Sequence, residues 1–329
     1  MPHPIVFTFA ALGQSYQTLI DGCSVTLHAP KVEWREDRPW IVSPEFQFAR
    51  ADMDWDARYQ YDGDSSAFGT PSEWNPKEKD GSAQVWRFGI STPTDGCAVG
   101  ETEGLAASIH GGILKWEMAV QEWIQCEFGQ LPGSRESNDY LDLWSTPMAD
   151  KPDLQRGAKT TITRYRDHPV GGDDFLRILK LVETEEPPPV ARRLLISAQR
   201  QSDLHDFRVA VIDAATASEI ALTTFVSEYL VKQGLTSEDT ETLLRGHQAI
   251  NNRSKLATKF GFKLPSNFIE NIATPRNKAV HAAHPLSEDE ARAAIATAEG
   301  VVDQVYPRTF GLPRAPTETI TITITQNPY

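Results

Sequence analysis

The chain changes character at Glu183-Thr184-Glu185-Glu186-Pro187-Pro188-Pro189, and this break limits the available folds more than any other feature. Acidic residues followed by three prolines favour an extended, semi-rigid connector over a helix or a strand. All eight tryptophans precede it, within the first 144 residues. The same region holds short β-branched and aromatic runs separated by Gly, Pro, Asp and Asn. They include Ile5-Val6-Phe7-Thr8-Phe9, Ser24-Val25-Thr26-Leu27, Phe46-Gln47-Phe48 and Gln84-Val85-Trp86-Arg87-Phe88. Thr160-Thr161-Ile162-Thr163 and Phe175-Leu176-Arg177-Ile178-Leu179 continue the pattern. Period-two alternation between turn signals predicts a mainly β domain over residues 1–186. The segment from Gly112 to Phe128 fits a helix or a long strand equally, and Gly171-Gly172-Asp173-Asp174 reads as a hairpin turn. The tryptophans suit either core packing or an exposed recognition surface.

Beyond the break the apolar period becomes helical. Val190 to Gln201 reads as a first helix. Asp206 to Val231 reads as a second, with Phe207, Ala210, Ala214, Ala217, Ala221 and Phe225 on the periodic positions. Asp203 or Asp206 caps it, and Gly234 ends it. Glu238 to Phe260 is a third, closed by Gly261, and Asn267 to Ala283 holds a fourth. The fifth opens on the capping-box pattern Ser287-Glu288-Asp289-Glu290 and runs to Tyr306, before Pro307. The expected class is therefore α+β, with a mainly β domain followed by an all-α bundle over 187–308. In the tail, 309–329, Thr317 to Thr325 alternates as a strand does. A lone strand is unstable, so it is expected to pair with the N-terminal sheet.

Charge narrows the functional choices. The formal net charge is −13, and residues 190–308 carry 14 basic and 14 acidic side chains. Residues 1–189 carry 17 basic against 30 acidic, so the whole excess lies there. An acidic half repels phosphates, so any nucleic acid must meet the C-terminal part through a local cleft. Cys23, Cys97 and Cys126 have no metal-site spacing and read as free buried thiols. No apolar run suggests a bilayer span, and Met1-Pro2-His3-Pro4 lacks the features of a signal peptide. A cytoplasmic protein with no membrane role is expected.

Arg276-Asn277-Lys278-Ala279-Val280-His281 carries the chemistry. Histidine is the side chain best suited to proton transfer near neutrality. An arginine fork fits phosphoryl oxygens that gather charge in a transition state. Asn277 lies one helical turn before His281, while Arg276 and His281 lie about 140° apart around a helix. Thr274-Pro275 allows two structures. A helix restarting there would put Arg276 and Asn277 in an anion-favouring first turn; otherwise Pro275 kinks a longer helix.

The order of these helices and the Arg-Asn-x3-His motif resembles the HEPN family, in particular its Apea-like branch. Phe207 to Glu219 is similar to the family's Ala-rich second helix, with an acidic residue near the middle. The resemblance covers about a third of the chain. It implies an all-α HEPN bundle that cuts RNA, such as tRNA, without metal or cofactor. Arg276, Asn277, His281 and Glu219 would be catalytic, with Lys278, Asp213, Arg208 and His284 contacting substrate. It also implies a homodimer with a composite site, and a role in antiphage defence by abortive infection. The N-terminal domain would then sense a phage-derived or nucleotide trigger, or restrain the nuclease. The competing expectation is a non-catalytic HEPN module that binds a nucleotide or a protein. His284 follows His281 by three residues, yet no third ligand of usual spacing accompanies them. His247, Arg253 and Lys255 either border an RNA groove or form a solvated basic face.

Overall fold

The computed structural model describes residues 5–42, 44, 69–85, 88–92, 99–130, 158–164, 168–281, 285–308 and 318–324. The class is α+β, with a sheet-containing N-terminal region followed by a helical C-terminal part. Two compact units divide the chain: Met1–Glu186 with Pro313–Tyr329, and Pro187–Leu312.

The first unit contains β1 (Ile5–Thr8), β2 (Ser15–Ile20), β3 (Cys23–His28), β4 (Lys31–Arg35) and β5 (Arg38–Val42). After these come β6 (Gly69–Asn75), β7 (Asp80–Val85), β8 (Gly89–Ser91), helix α1 (Val99–Phe128), β9 (Ala158–Arg164) and helix α2 (Gly172–Glu183). Sheets form in the orders β1-β7-β6 and β2-β3-β8, with β4-β5 as a separate pair. The β2–β3 hairpin turns at Asp21-Gly22, whose φ values are 50° and 74°. Two consecutive positive φ angles match the twist of a tight hairpin, which is why Asp-Gly suits this place. The far edge of β1 is covered: Val170 pairs with Phe7, and the buried Gln130 amide bonds both backbone groups of Val6. Strand β10 (Glu318–Ile324) pairs antiparallel with β9 in a two-stranded sheet of their own, Glu318 opposite Arg164 and Ile324 opposite Ala158.

Two local expectations need correction, and one ambiguity is resolved. Gly171 to Asp174 is not a hairpin turn, and Phe175 to Leu179 is not a strand; both belong to the start and body of α2. Asp173 and Asp174 favour the positive end of a helix. Phe175, Ile178 and Leu179, at i, i+3 and i+4, are buried together. Phe175 packs edge-on to Phe7 and Tyr16, with ring centroids 5.0 Å away in each case. Gly112 to Phe128 is helical, and buries Trp116, Val120, Trp123 and Ile124 along one face. Those two tryptophans serve the core. Cys126 is buried and Cys23 partly exposed, and neither is in a disulfide. Phe46 to Phe48 and Cys97 lie outside the described residues.

The second unit is built on α4. Its helices are α3 (Val190–Asp203), α4 (Phe207–Lys232), α5 (Ser237–Arg245), α6 (Ile250–Lys259), α7 (Thr274–His281) and α8 (Glu288–Val305). Asp206 caps α4, accepting from the Val209 amide at 3.1 Å. Beyond its end Gly234 adopts φ 89°, where a Cβ would strain the backbone. Ala210, Ala214, Ala217 and Ala221 of α4 are fully buried, as are Ala191 and Ala198 of α3 and Ala291, Ala294 and Ala298 of α8. Such small side chains let the three helices approach closely. The expected third helix is in fact two, α5 and α6. Gly246 and the turn after it break the run, and Ile250 is buried at the start of α6. The capping box at α8 forms in full between Ser287 and Glu290.

By length and composition α4 could cross a bilayer, with a window of mean hydropathy 1.5, contrary to the expectation that no such run exists. Half of that window is buried inside the unit, which is the pattern of a core helix.

Arg192 of α3 is the most buried charge of this unit, with a side chain 3% exposed. It donates to the Asp303 carboxylate and the Tyr306 carbonyl, tying α3 to the end of α8. Removing the partner of a buried charge costs more than removing the charge itself. Asp303→Ala is expected to cost about 3 kcal/mol, and Arg192→Met distinctly less, in urea unfolding followed by helical circular dichroism. The reverse order would show that Asp303 does not compensate the buried guanidinium.

Candidate functional site

α4 buries an alanine-rich face, and a polar stripe runs along a side that the core does not cover. Thr216, Glu219, Ile220, Thr223 and Thr224 follow the i, i+3, i+4, i+7, i+8 spacing of a single helix face. With Arg253 of α6 they line a cleft of 310 Å³. Thr216 donates to the Ile212 carbonyl at 2.8 Å, and Thr223 to the Glu219 carbonyl at 2.6 Å. Thr224 shares a hydrogen bond with the Tyr306 hydroxyl at 2.7 Å. Arg253 donates to the Thr223 hydroxyl at 2.6 Å and, at 3.5 Å, to the Leu244 carbonyl.

Glu219 is half-buried at this cleft. Burial pushes its carboxyl above the ordinary range, and the guanidinium groups of Arg276 and Arg253 act against that rise. Desolvation outweighs the two cations because neither is in direct contact with the carboxylate. Among the described residues nothing donates a hydrogen bond to its oxygens.

The motif segment arrives through a distortion. A π-helical turn, Ile269–Ala273, leads without interruption into α7. The Thr274 amide donates to the Ile269 carbonyl five residues back, and Thr274 itself is helical. The wide turn accommodates Pro275, which has no amide hydrogen and is buried as the second residue of α7. Of the two structures open to Thr274-Pro275, the distorted longer helix is the one formed. Arg276 and Asn277 therefore do not occupy a fresh helix start.

Arg276 is half-buried and donates to Asn277 at 3.4 Å. Asn277, Val280 and His281 are exposed. His281 has no hydrogen-bond partner among the described residues, and it is not among the charges acting on Glu219. Arg208 of α4 donates from Nε to the Ala279 carbonyl at 2.8 Å. That carbonyl lies in the last turn of α7, where the helix supplies no amide for it. Lys278 is paired with Glu290 at 3.0 Å, and the same Glu290 closes the capping box of α8. Asp213 accepts from Ser197 at 2.6 Å.

Of the expected set, then, Arg276 and Glu219 come together, with Arg253 beside them. Asp213, expected at the substrate, is engaged with Ser197 of α3. Lys278 and Arg208 are both bound to protein groups. His247 donates to the Leu243 carbonyl at 3.0 Å, a local structural bond. His284 lies outside the described residues. Among the described residues no group of three or more His, Cys, Asp or Glu side chains could hold a metal ion. The threonine stripe escaped the sequence reading, and Arg253 was read only as one of several basic residues. The polar i, i+3, i+7 positions on an otherwise apolar helix are the signal that marks the cleft wall.

Compared with known protein families, curated proteins and solved structures, the chain matches none of them.

Glu219 holds its proton to higher pH in the folded chain than in the unfolded one. Its contribution to stability is thus fullest below the ordinary carboxyl range and falls as pH rises through the raised folded value. Glu219→Gln is expected to remove that decline and to be more stable than the parent near neutrality. Urea midpoints for both proteins, from about pH 4 to about pH 7, check this. Parallel curves would mean that the carboxyl is not desolvated.

Proposed function

We propose that the helical unit is a HEPN-type endoribonuclease that cuts RNA without a metal ion, acting in the cytoplasm. The observation that carries this reading is the coupling of Arg276 to the half-buried Glu219, on the helix that also presents His281. The carboxylate draws the guanidinium toward α4 by charge, while Arg208 ties the other end of α7 to the same helix. A phosphate bound here would meet a cation that is already placed, which is how a site lowers the energy of developing negative charge.

In the reaction, His281 takes the proton of a ribose 2′-hydroxyl. The 2′ oxygen attacks the adjacent phosphorus, and the bond from phosphorus to the 5′ oxygen breaks. Arg276 stabilises the charge on the phosphoryl oxygens, and Asn277 orients the imidazole or the phosphate. The products are a 2′,3′-cyclic phosphate and a 5′-hydroxyl, the latter completed by a proton from a second imidazole. Exposure of His281 and Asn277 suits a site shared by two copies, each supplying one motif. The strongly acidic N-terminal unit fits a restraining or sensing role, since it repels RNA phosphates. Abortive infection through tRNA cleavage is the biological setting this implies. With Lys278 held by Glu290, substrate contact falls chiefly to Arg276 and Arg253.

One observation favours a second reading. His281 is exposed and has no hydrogen-bond partner among the described residues to orient its ring, as in a HEPN module that binds a nucleotide without cutting.

Purified protein incubated with total RNA and with tRNA in EDTA is expected to release fragments with cyclic-phosphate ends. Arg276→Ala and His281→Ala should each slow this by roughly 100-fold or more. Cleavage undiminished in both variants would sink the nuclease reading, and the absence of cleavage in all three proteins would favour the binding module.

A further inference from the structure

The cleft beside Arg276 has a polarity that selects its ligand. The hydroxyl hydrogens of Thr216 and Thr223 are committed to backbone carbonyls of their own helix, and the Thr223 oxygen also accepts from Arg253, so Thr216 is the hydroxyl that presents its lone pairs outward. Glu219 adds a carboxylate to which no described residue donates. The cleft wall is mostly apolar, with the Glu219 carboxylate as its main acceptor and Arg253 as its donor. A fitting ligand therefore brings an apolar body, donors for the carboxylate and acceptors for the guanidinium. A cation would satisfy the acceptors, but Arg253 and Arg276 repel it. Inside the cleft the negative charge of a phosphate would face the Glu219 carboxylate; Arg276, which does not line the cleft, is left to meet a phosphate outside it. A flat neutral group with two adjacent N–H donors matches both the carboxylate and the apolar wall.

We infer that this cleft receives a guanine base, read through the Glu219 carboxylate. Guanine is the one RNA base whose pairing edge sets two donors side by side, the N1 hydrogen and the N2 amino group. Adenine and cytosine each place a ring nitrogen acceptor beside their amino group, and uracil has one donor between two carbonyls. The O6 and N7 acceptors of guanine suit an arginine, and Arg253, fixed by Thr223 and Leu244, stands on the same wall. Ile220 supplies an apolar surface for the ring. A cleft of 310 Å³ is large enough for one base, and splayed single-stranded bases are commonly read on this edge. The inference rests on the nuclease reading only in taking RNA as the source of the base; a free guanine nucleotide offers the same edge.

The full chain is titrated with GMP, IMP, AMP, CMP and UMP by equilibrium dialysis. GMP is expected to bind best, and IMP, which lacks the N2 amino group, about tenfold or more weakly. Glu219→Gln should erase the difference between GMP and IMP, and Thr216→Leu should block both by filling the cleft. In RNA, cleavage is expected next to guanosine, and it should lose that preference where inosine replaces it. Guanine-selective binding without cleavage keeps this inference and removes the nuclease. Cleavage with no preference among bases, together with equal binding of the five nucleotides, overturns it and leaves the nuclease standing. GMP binding unchanged in Glu219→Gln also overturns it.

Discussion

The helical unit depends on the burial of α4 among α3, α6, α7 and α8. A helix enclosed on most sides must be nearly all apolar, because each buried polar group without a partner costs free energy. Alanine meets this demand while keeping helix propensity high, and it brings neighbouring backbones close. Ser218, fully buried, meets the same demand by donating to the Ala214 carbonyl, and the cleft residues meet it by lying on an uncovered face. Thr216, Glu219 and Thr223 lie on that face, and the threonine hydroxyls satisfy themselves on the backbone of α4. The position of the cleft is thus a consequence of the packing: it is the gap that the surrounding helices leave open.

Which parts of this were legible in the sequence follows from the range of the interactions. The capping box at Ser287, the Asp-Gly hairpin and the glycine after α4 are local, and each is decided within a few residues. The change from period two to helical period near Pro187 is likewise local, summed over long segments. The errors arose where two local signals competed. Phe175 to Leu179 looks like a strand when read alone, yet its apolar residues also sit at i, i+3 and i+4, and two preceding aspartates favour a helix start. In the expected third helix, the burial of Ile250 against the core rewarded a new start after Gly246.

The candidate site was legible in composition but not in its pairings. Arg276 and Glu219 are 57 residues apart in the chain, and only the packing of α7 on α4 brings their charges together. Arg253 comes from a third helix, and its proximity depends on the turn that separates α5 from α6. Lys278 shows the opposite effect. Its place in the motif suggested a contact with substrate, but the capping residue of the next helix holds it. A short motif states which side chains are near in sequence, and the fold then decides which of them remain available.

The π-turn before α7 shows how the motif is held. Pro275 would clash with the preceding turn of a regular helix, and the wider turn removes the clash while Ile272 and Ala273 stay buried in the core. One end of the segment is therefore fixed by packing. The other is fixed by Arg208, whose guanidinium takes the Ala279 carbonyl that the helix leaves open. With both ends bound, Arg276 is held toward Glu219, and Asn277 and His281 are held toward solvent. A segment fastened in this way cannot turn all of its polar groups into one cleft. The inward cation and the outward imidazole serve a common reaction only if the ligand extends from the cleft across the exposed face, as a nucleic-acid strand does and a small ion does not.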